Sequence, residues 1–233
     1  AATAFYLTGA NVYVDGNISI LAGSLYPGTN NYNLYVGGDF FVNTGAAFMP
    51  TGGSVKGGTV IFNGNRNQVI TNANFYNLTI DGTLTKATQN LISVANVTTV
   101  QTNATLKAEA GSTIDFNGNV VIQSGATFDD GGETHYFTGL NWTNNGSYTG
   151  NGTLIFDRTA GTQTIVAGNF GTIQLQNQYT VIQNNISLTG DLILKAGSYY
   201  LNTATYQITN STGTGNFIME AGTRLYVRGA NNF

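Results

Sequence analysis

An eleven-residue pattern recurs along this chain, and it constrains the possible folds more than any other feature. The pattern reads glycine, Asn or Asp, apolar, any, apolar, any, small, glycine, small, any, apolar. Five copies begin at Gly16, Gly38, Gly118, Gly190 and Gly215. A worn sixth copy, from Asn96 to Leu106, has Asn96 and Asn103 where the others have glycine. Asparagine is the other residue that best tolerates positive φ. The glycines are therefore predicted to be structural turn residues of a repeat protein.

The repeats have a short period and a long one. Gly16 and Gly38 lie 22 residues apart, and Gly190 and Gly215 lie 25 apart. The segment GTVIF, at residues 58–62, returns as GTLIF 94 residues later, and a Gln and an Ile follow each copy. We interpret residues 1–233 as one continuous segment. Its super-repeats span approximately 58–151 and 152–233, and residues 1–57 are the end of a preceding unit.

Apolar residues alternate within each unit, which is typical of strands with one buried face. No stretch favours a helix, and Thr85–Val100 is predicted to be strand and loop. The short period fits one coil of two or three strands, with a glycine at each corner and Asn beside the bends. We therefore expect an all-β parallel β-helix, or β-solenoid, with coils of roughly 20–25 residues. Tandem β-sandwich domains are the alternative, because 94 residues is also the size of an immunoglobulin-like domain.

The composition restricts the partners and the location. Only 8% of residues are charged, the formal net charge is −3, and Lys and Arg form no cluster, which argues against nucleic acid. Apolar runs are too short for membrane insertion, and there is no cysteine. A neutral polar surface is typical of secreted β-proteins, so we expect an extracellular, cell-surface location. The chain opens in strand-like sequence without a signal peptide, which suggests a segment of a longer protein.

The titratable residues give little reason to expect an enzyme. His135 is the only histidine, no nucleophile-elbow motif lies near it, and a loop or surface position is expected. Asp39 and Asp191 occupy the pattern slot where other copies have Asn, which indicates turn capping rather than proton transfer. Only Asp129, Asp130 and Glu133 cluster. They are a candidate Ca²⁺ site or else a solvated loop, and no other cofactor is expected.

Aromatic residues supply the candidate ligand contacts. The stretch Asp129–Gly152 lengthens the short period to 34 residues and is expected to bulge from the solenoid. Trp142, Tyr136 and Tyr148 lie in this stretch and are candidate ligand-binding residues. Other tyrosines lie in or beside strands and are expected to stack along the solenoid as packing: Tyr13, Tyr35, Tyr199, Tyr200 and Tyr226.

The run GTVIFNG, QVI and NFYNLTI, followed by the glycine-containing coils, resembles the tandem repeats of giant Bacteroidetes surface adhesins. These include the gliding-motility adhesin of flavobacteria, which the type IX secretion system exports. The resemblance covers nearly the whole chain. It implies an extracellular, surface-attached filament segment that holds cells to polysaccharide or solid surfaces. The motif is structural, so it transfers no catalytic residues.

The favoured hypothesis is a structural and adhesive repeat module, a rigid stalk whose partners are neighbouring repeats and an extracellular polysaccharide or surface ligand. One alternative is a carbohydrate-active β-helix enzyme with Asp129, Asp130 or Glu133 in its cleft. Another is an ice- or mineral-binding face made by threonine rows. Regular rows are not visible in the sequence apart from scattered pairs such as Thr83 with Thr85.

Overall fold

The computed structural model describes residues 4–7, 9–26, 32–48, 57–195 and 197–229. Within them the chain forms strands, turns and bends but no helix. Strands β1 to β9 are Ala4–Tyr6, Val12–Val14, Ile18–Ile20, Ser24–Tyr26, Leu34–Val36, Phe40–Val42, Ala47–Phe48, Thr59–Phe62 and Gln68–Ile80. Strands β10 to β18 are Thr85–Val100, Thr105–Ala108, Thr113–Phe116, Asn119–Ile122, Thr127–Asp129, Thr134–Phe137, Asn141–Asn144, Ser147–Thr149 and Thr153–Phe156. Strands β19 to β27 are Thr162–Phe170, Thr172–Leu175, Tyr179–Ile182, Ile186–Leu188, Leu192–Leu194, Ser198–Ala204, Ile208–Asn210, Phe217–Met219 and Arg224–Gly229.

The strands stack in parallel, turn upon turn, into the β-solenoid that the repeats predicted. For example, β2 pairs with β5, β5 with β8, and β13 with β16, each in parallel register. The sandwich alternative is wrong, because sandwiches of that class are built from antiparallel sheets. The segment Thr85–Val100, expected to be strand and loop, is strand throughout, β10, but it bends between its three parts, with Asn90 at φ 60°, and each part pairs on a different side of the solenoid.

The solenoid has three sides, and each turn of the chain contributes one strand to each side. Side 1 contains β2, β5, β8, the ends of β9 and β10, β13, β16, the start of β19, β21, β24 and β27. Side 2 contains β3, β6, the starts of β9 and β10, β11, β14, β17, the end of β19, β22 and β25. Side 3 contains β1, β4, β7, the middles of β9 and β10, β12, β15, β18, β20, β23 and β26.

Each copy of the eleven-residue pattern is a strand, a corner and a second strand, but the corner is not always the same one. The copies that begin at Gly16 and Gly38 join side 2 to side 3. Those that begin at Asn96 and Gly118 join side 1 to side 2, and the last two join side 3 to side 1. From the start of one super-repeat to the start of the next, the chain therefore completes a whole number of turns plus two thirds of a turn. Successive units are displaced by one side of the solenoid.

The two glycines of the pattern have different roles. The second one adopts positive φ at the corner, as at Gly125 with φ 77°, and Asn103 of the worn copy replaces it with φ 66°. The first lies where turns approach closely, and a Cβ on Gly118 would stand 1.5 Å from the carbonyl oxygen of Asn96 in the turn below. Close approach explains the first glycine in the stacked copies but not Gly16, where an added Cβ would meet nothing within 4 Å, and only the corner position needs the left-handed region.

The Asn or Asp of the pattern caps the next turn. The Asn17 Oδ1 accepts the backbone N–H of Asp39 at 2.9 Å, and the Asp39 Oδ1 accepts the N–H of Val69 at 2.9 Å. The Asp191 Oδ1 likewise accepts the N–H of Asn216 at 2.7 Å. Asn and Asp are interchangeable here because each supplies the same acceptor oxygen. The capping interpretation of Asp39 and Asp191 is confirmed.

The stretch Asp129–Gly152 does not bulge, contrary to the sequence expectation. Its strands β15, β16 and β17 form a regular turn, in which Trp142 lies opposite Val120 and Tyr148 opposite Phe128 in the turn below. Residues Asn141–Tyr148 are in effect a further, shortened copy of the repeated pattern. The longer period results from one unrecognised copy rather than from an inserted loop.

Candidate functional site

Two of the three predicted ligand-binding aromatics lie in the core. Trp142 has no exposed surface, and Tyr148 is only 6% exposed. Trp142 packs edge-on against Phe116 and Phe137 with ring centroids 5.5 and 5.4 Å away. Both residues occupy inward-facing positions of their strands, and this explains their burial. Neither side chain can therefore reach a ligand at the surface. Tyr136 points outward from β15 and is 38% exposed.

The predicted calcium ligands each cap a different part of the backbone. The Asp129 Oδ1 accepts the N–H of Gly131, and Asp130 accepts those of Gly132 and Gly152. Glu133 accepts the N–H of Gly111 in the turn below, at 2.9 Å. Throughout the described ranges, no three His, Cys, Asp or Glu side chains converge as a metal site would require. The cluster in the sequence is therefore not a cluster of ligands in space, and Asp130 is buried rather than solvated.

His135 lies inside the solenoid, not in a loop or at the surface as expected. Its Nδ1 accepts the backbone N–H of Ile114 at 3.0 Å, and this contact leaves the proton on Nε2, which donates to the Asp130 carbonyl at 3.0 Å. Burial lowers the pKa of His135, against a smaller opposing effect of Asp130. The imidazole is therefore held neutral as a bridge between turns, since a second proton would remove the acceptor that Ile114 uses.

Three buried side chains join one turn to the turn below by donating to two carbonyls. The Gln68 Nε2 donates to the carbonyl oxygens of Val36 and Gly38. One turn later, the Lys86 Nζ donates to those of Gly64 and Arg66, at 2.9 and 3.2 Å. Burial lowers the pKa of this ammonium group. The Gln that follows the second GT-apolar-apolar-Phe segment, Gln163, repeats the arrangement with Phe137 and Gly139. The recurring Gln of the super-repeat is therefore a structural connector.

The most distinctive surface feature is a column of stacked tyrosines on side 1, which we name the tyrosine ladder. It consists of Tyr179, Tyr200 and Tyr226, which occupy the same outward position in three consecutive strands, β21, β24 and β27. Their ring centroids are 5.0 and 4.8 Å apart and the planes are within 14° of parallel. Tyr179 and Tyr226 are each 44% exposed. The in-register parallel pairing produces the stack, because it repeats each side-chain position once per turn.

A groove of about 320 Å³ runs beside the tyrosine ladder. Its other wall is the next outward column, Val181, Asn202 and Arg228, and Thr162 lies at its end. The phenolic hydroxyls, the amide, the guanidinium and the threonine hydroxyl offer hydrogen-bond donors and acceptors along the axis of the solenoid. Because the stacked rings cover one another, a ligand in the groove would contact their edges and hydroxyls, except at the two ends of the ladder.

The sequence interpretation identified part of this site. It expected Tyr200 and Tyr226 to stack along the solenoid, and they do, as do Tyr13 and Tyr35 at the other end of side 1 with centroids 4.5 Å apart. It missed Tyr179, although this residue lies 21 positions before Tyr200, about one coil. It also missed Asn202 and Arg228, whose place beside the ladder becomes evident only once the register is known. Tyr199 is buried instead of laddered.

Threonine columns are more regular than the sequence indicated. Thr134, Thr153 and Thr172 are in register on side 3, and Thr85, Thr105 and Thr127 are in register on side 2. The next outward column on side 2 contains Lys107 and Asp129. The threonines therefore form single columns and not the paired rows of a flat surface-binding face.

No segment of the described chain is a helix with the length and apolar character to cross a bilayer. Comparisons with models of protein families, with curated proteins and with solved structures found no match to this chain.

Proposed function

We propose that this protein is a structural and adhesive module rather than a catalyst: a rigid stalk segment of a secreted bacterial surface adhesin. We further propose that the groove beside the tyrosine ladder is its contact with extracellular polysaccharide. The neutral polar composition and the resemblance to Bacteroidetes adhesin repeats support the location and the class of protein. The observation that carries the binding proposal is the ladder itself, with its polar groove alongside.

The stalk role follows from the way in which the turns are joined. Each turn is hydrogen-bonded to the next along three sides, and capping and buried side chains such as Asn17 and Gln68 add bonds between turns. The inward faces of successive turns pack into one apolar core that continues along the axis. A body of this kind resists bending because its interactions repeat between neighbours along its whole length.

The groove suits a polysaccharide for two chemical reasons. A polymer extended along the solenoid axis meets the same kinds of groups, tyrosine hydroxyl and polar side chain, at each successive turn. Sugar hydroxyls can exchange hydrogen bonds with the Tyr200 hydroxyl and the Asn202 amide, and Arg228 can pair with a carboxylate or sulfate on the polymer. The partly exposed ring of Tyr179 offers an apolar surface against which a sugar ring can pack.

Affinity electrophoresis in native gels cast with soluble polysaccharides, one neutral and one rich in uronic acid, tests this proposal. A sugar ring stacked on Tyr179 is taken to contribute about as much as one aromatic pair, about 0.5–1.5 kcal/mol, so Tyr179→Ala should weaken the affinity measured by retardation about threefold to tenfold. Asn202→Ala should also weaken it. Tyr136→Ala removes a tyrosine of similar exposure from side 3 and should leave retardation unchanged.

Two results would contradict the binding proposal: equal retardation of wild type and Tyr179→Ala, or a loss confined to Tyr136→Ala. Circular dichroism on each variant confirms that the fold is retained. If wild type binds neither polymer, the adhesive half of the proposal fails. The stalk half is then tested by small-angle scattering, for which a rod-shaped particle is expected and a compact one would be contradictory.

A further inference from the structure

One outward column on side 2 contains a recess between two larger side chains. Phe41 in β6, Thr71 in β9 and Gln89 in β10 occupy the same position in three consecutive turns. Phe41 is 40% exposed and Gln89 is also exposed, whereas Thr71 between them is only 6% exposed. Neighbouring strands lie about 4.8 Å apart, so the two flanking residues are about 10 Å from each other. The recess between them is wide enough for one small ring.

This recess is part of a pocket of about 280 Å³, which we name the side 2 pocket. Phe41 forms an apolar wall, Gln89 lies on the opposite wall, and Asn17 and Asp39 form a polar rim. Strand β6 pairs with both β3 and β9, and the start of β10 pairs with both β9 and β11. The walls that Phe41, Thr71 and Gln89 provide therefore do not depend on an unpaired strand edge.

The floor of the side 2 pocket carries a hydroxyl without a partner. Thr71 is more than nine tenths buried and lines the pocket, and its hydroxyl forms no hydrogen bond with any other described residue. By contrast, the buried Thr88 in the next turn donates its hydroxyl to the carbonyl oxygen of Lys107 at 3.2 Å. The side-chain amide of Gln89 is likewise unpaired within the described chain. A buried polar group without a partner destabilises a fold, so these groups indicate a ligand that completes their hydrogen bonds.

The side 2 pocket is electrically neutral. The Arg66 Nη2 donates to the Asp39 Oδ2 at 3.1 Å and also to the Asn17 Oδ1, so the one cation beside the pocket is paired with its one anion. Among the described residues, no other charged side chain lines this pocket. The groove beside the tyrosine ladder differs, because its wall includes Arg228. A charged ligand would find no counter-charge in the side 2 pocket, and a neutral ligand is favoured.

We propose that the side 2 pocket binds a neutral sugar ring. The apolar face of the ring packs on Phe41, and its hydroxyls exchange hydrogen bonds with the Thr71 hydroxyl, the Gln89 amide and the free lone pair of the Asp39 carboxylate. A purely apolar ligand would leave the Thr71 hydroxyl unpaired. This site lies on a different side of the solenoid from the tyrosine ladder, and the proposal stands whether or not the ladder groove binds a polymer.

A printed array of neutral glucans, mannans, galactans and xylans, with alginate as the acidic comparison, tests the proposal. The protein applied to it is Tyr179→Ala, which removes an exposed ring of the tyrosine ladder, and it should bind at least one neutral glycan. Adding Phe41→Ala should weaken affinity for that glycan about threefold to tenfold, whereas Phe41→Trp should retain binding. Adding Tyr136→Ala removes an aromatic residue of similar exposure from side 3 and should change nothing.

Thr71→Val separates a binding role from a structural one. The hydroxyl has no partner in the described protein, so its loss should not lower the melting temperature, but it should weaken glycan affinity about threefold to tenfold. Three results would overturn the proposal: no neutral glycan is bound, Phe41→Ala binds as well as its background, or Thr71→Val leaves affinity unchanged. The ladder groove is judged separately, by the effect of Tyr179→Ala on wild-type binding, so either site can fail without the other.

Discussion

Truncating Trp142 to alanine tests whether this residue is a core element, as the structure shows, or a surface contact, as its place in a polar stretch suggested. The side chain is fully buried among six aromatic rings, whose centroids lie 5.4–6.4 Å from its own: Phe116, Phe128, Phe137, Tyr148, Phe156 and Phe170. Replacing a buried tryptophan by alanine typically costs about 3–5 kcal/mol of unfolding free energy.

An unpaired polar atom moderates this loss. The indole N–H of Trp142 has no hydrogen-bond partner in the core, and a buried donor in that state costs about 1–3 kcal/mol. Removing it offsets part of the lost packing, so we expect Trp142→Ala to cost about 3 kcal/mol, the lower end of the range. Trp142→Phe keeps most of the ring and also removes the unpaired donor. We expect it to change stability by about 1 kcal/mol or less.

Urea unfolding followed by far-UV circular dichroism measures both variants, because the substitutions remove the only tryptophan and with it the fluorescence signal. Solenoid turns need not unfold together, so amide exchange of residues 113–156 provides the local comparison. The matched control is Tyr136→Ala, which removes an outward aromatic from the same turn and should cost about 1 kcal/mol or less. The reasoning fails if Trp142→Ala and Tyr136→Ala have the same midpoint, or if Trp142→Phe destabilises as much as Trp142→Ala.

Three further substitutions follow from contacts between turns. Gly118→Ala should destabilise by about 2 kcal/mol or more in thermal unfolding, because its Cβ would collide with the turn below, whereas Gly16→Ala meets nothing within 4 Å and should be nearly neutral. His135 is neutral in the fold and its pKa is lowered, so its contribution to the free energy of unfolding should be fully present above its ordinary pKa. That contribution should be lost as the pH falls from the ordinary pKa through the lowered one. A stability–pH profile of His135→Gln should lack this acid-side loss. Asn119→Ala removes the acceptor of two backbone N–H groups and should cost about 1 kcal/mol per bond in urea unfolding, whereas Asn119→Asp should retain most of the stability.

The fold could be predicted from the sequence because the residue types in each copy of the repeat specify the local backbone geometry. A glycine at a fixed offset from alternating apolar residues indicates a strand, a corner and a strand, and Asn103 in the glycine slot agreed with the corner's positive φ. Repetition at about one coil then indicates stacking. These features are local, and the same steric rules apply at every copy.

The burial of Trp142 could not be predicted in the same way, because small changes in corner length conceal a copy of the repeat. The copy that contains Trp142 pairs with Val120 at an offset of 22 residues but with Phe128, through Tyr148, at an offset of 20. The shorter corner moves its glycine out of the expected slot. The stretch therefore reads as polar and irregular, although Asn141 and Trp142 occupy the capping and inward slots of the pattern.

The wrong expectation for His135 arose because its residue type was given more weight than its position in the inward–outward alternation of the strand. His135 alternates with Phe137 on the inward face of β15, and this phase indicates burial, but a lone histidine among polar residues suggests a loop. The groove beside the tyrosine ladder has a different cause. Tyr179 and Tyr226 lie two turns apart in one column, and this alignment depends on the summed lengths of several corners. No local sequence pattern specifies that sum.

The displacement of successive super-repeats by one side has a geometric consequence for any chain that carries several of them. Each unit starts one third of the circumference away from its predecessor, so three units complete the circuit. A surface feature encoded once per unit is then distributed helically and appears on every flank of the fibre. Such a fibre meets an opposing surface equally well from any direction and does not have to rotate about its own axis.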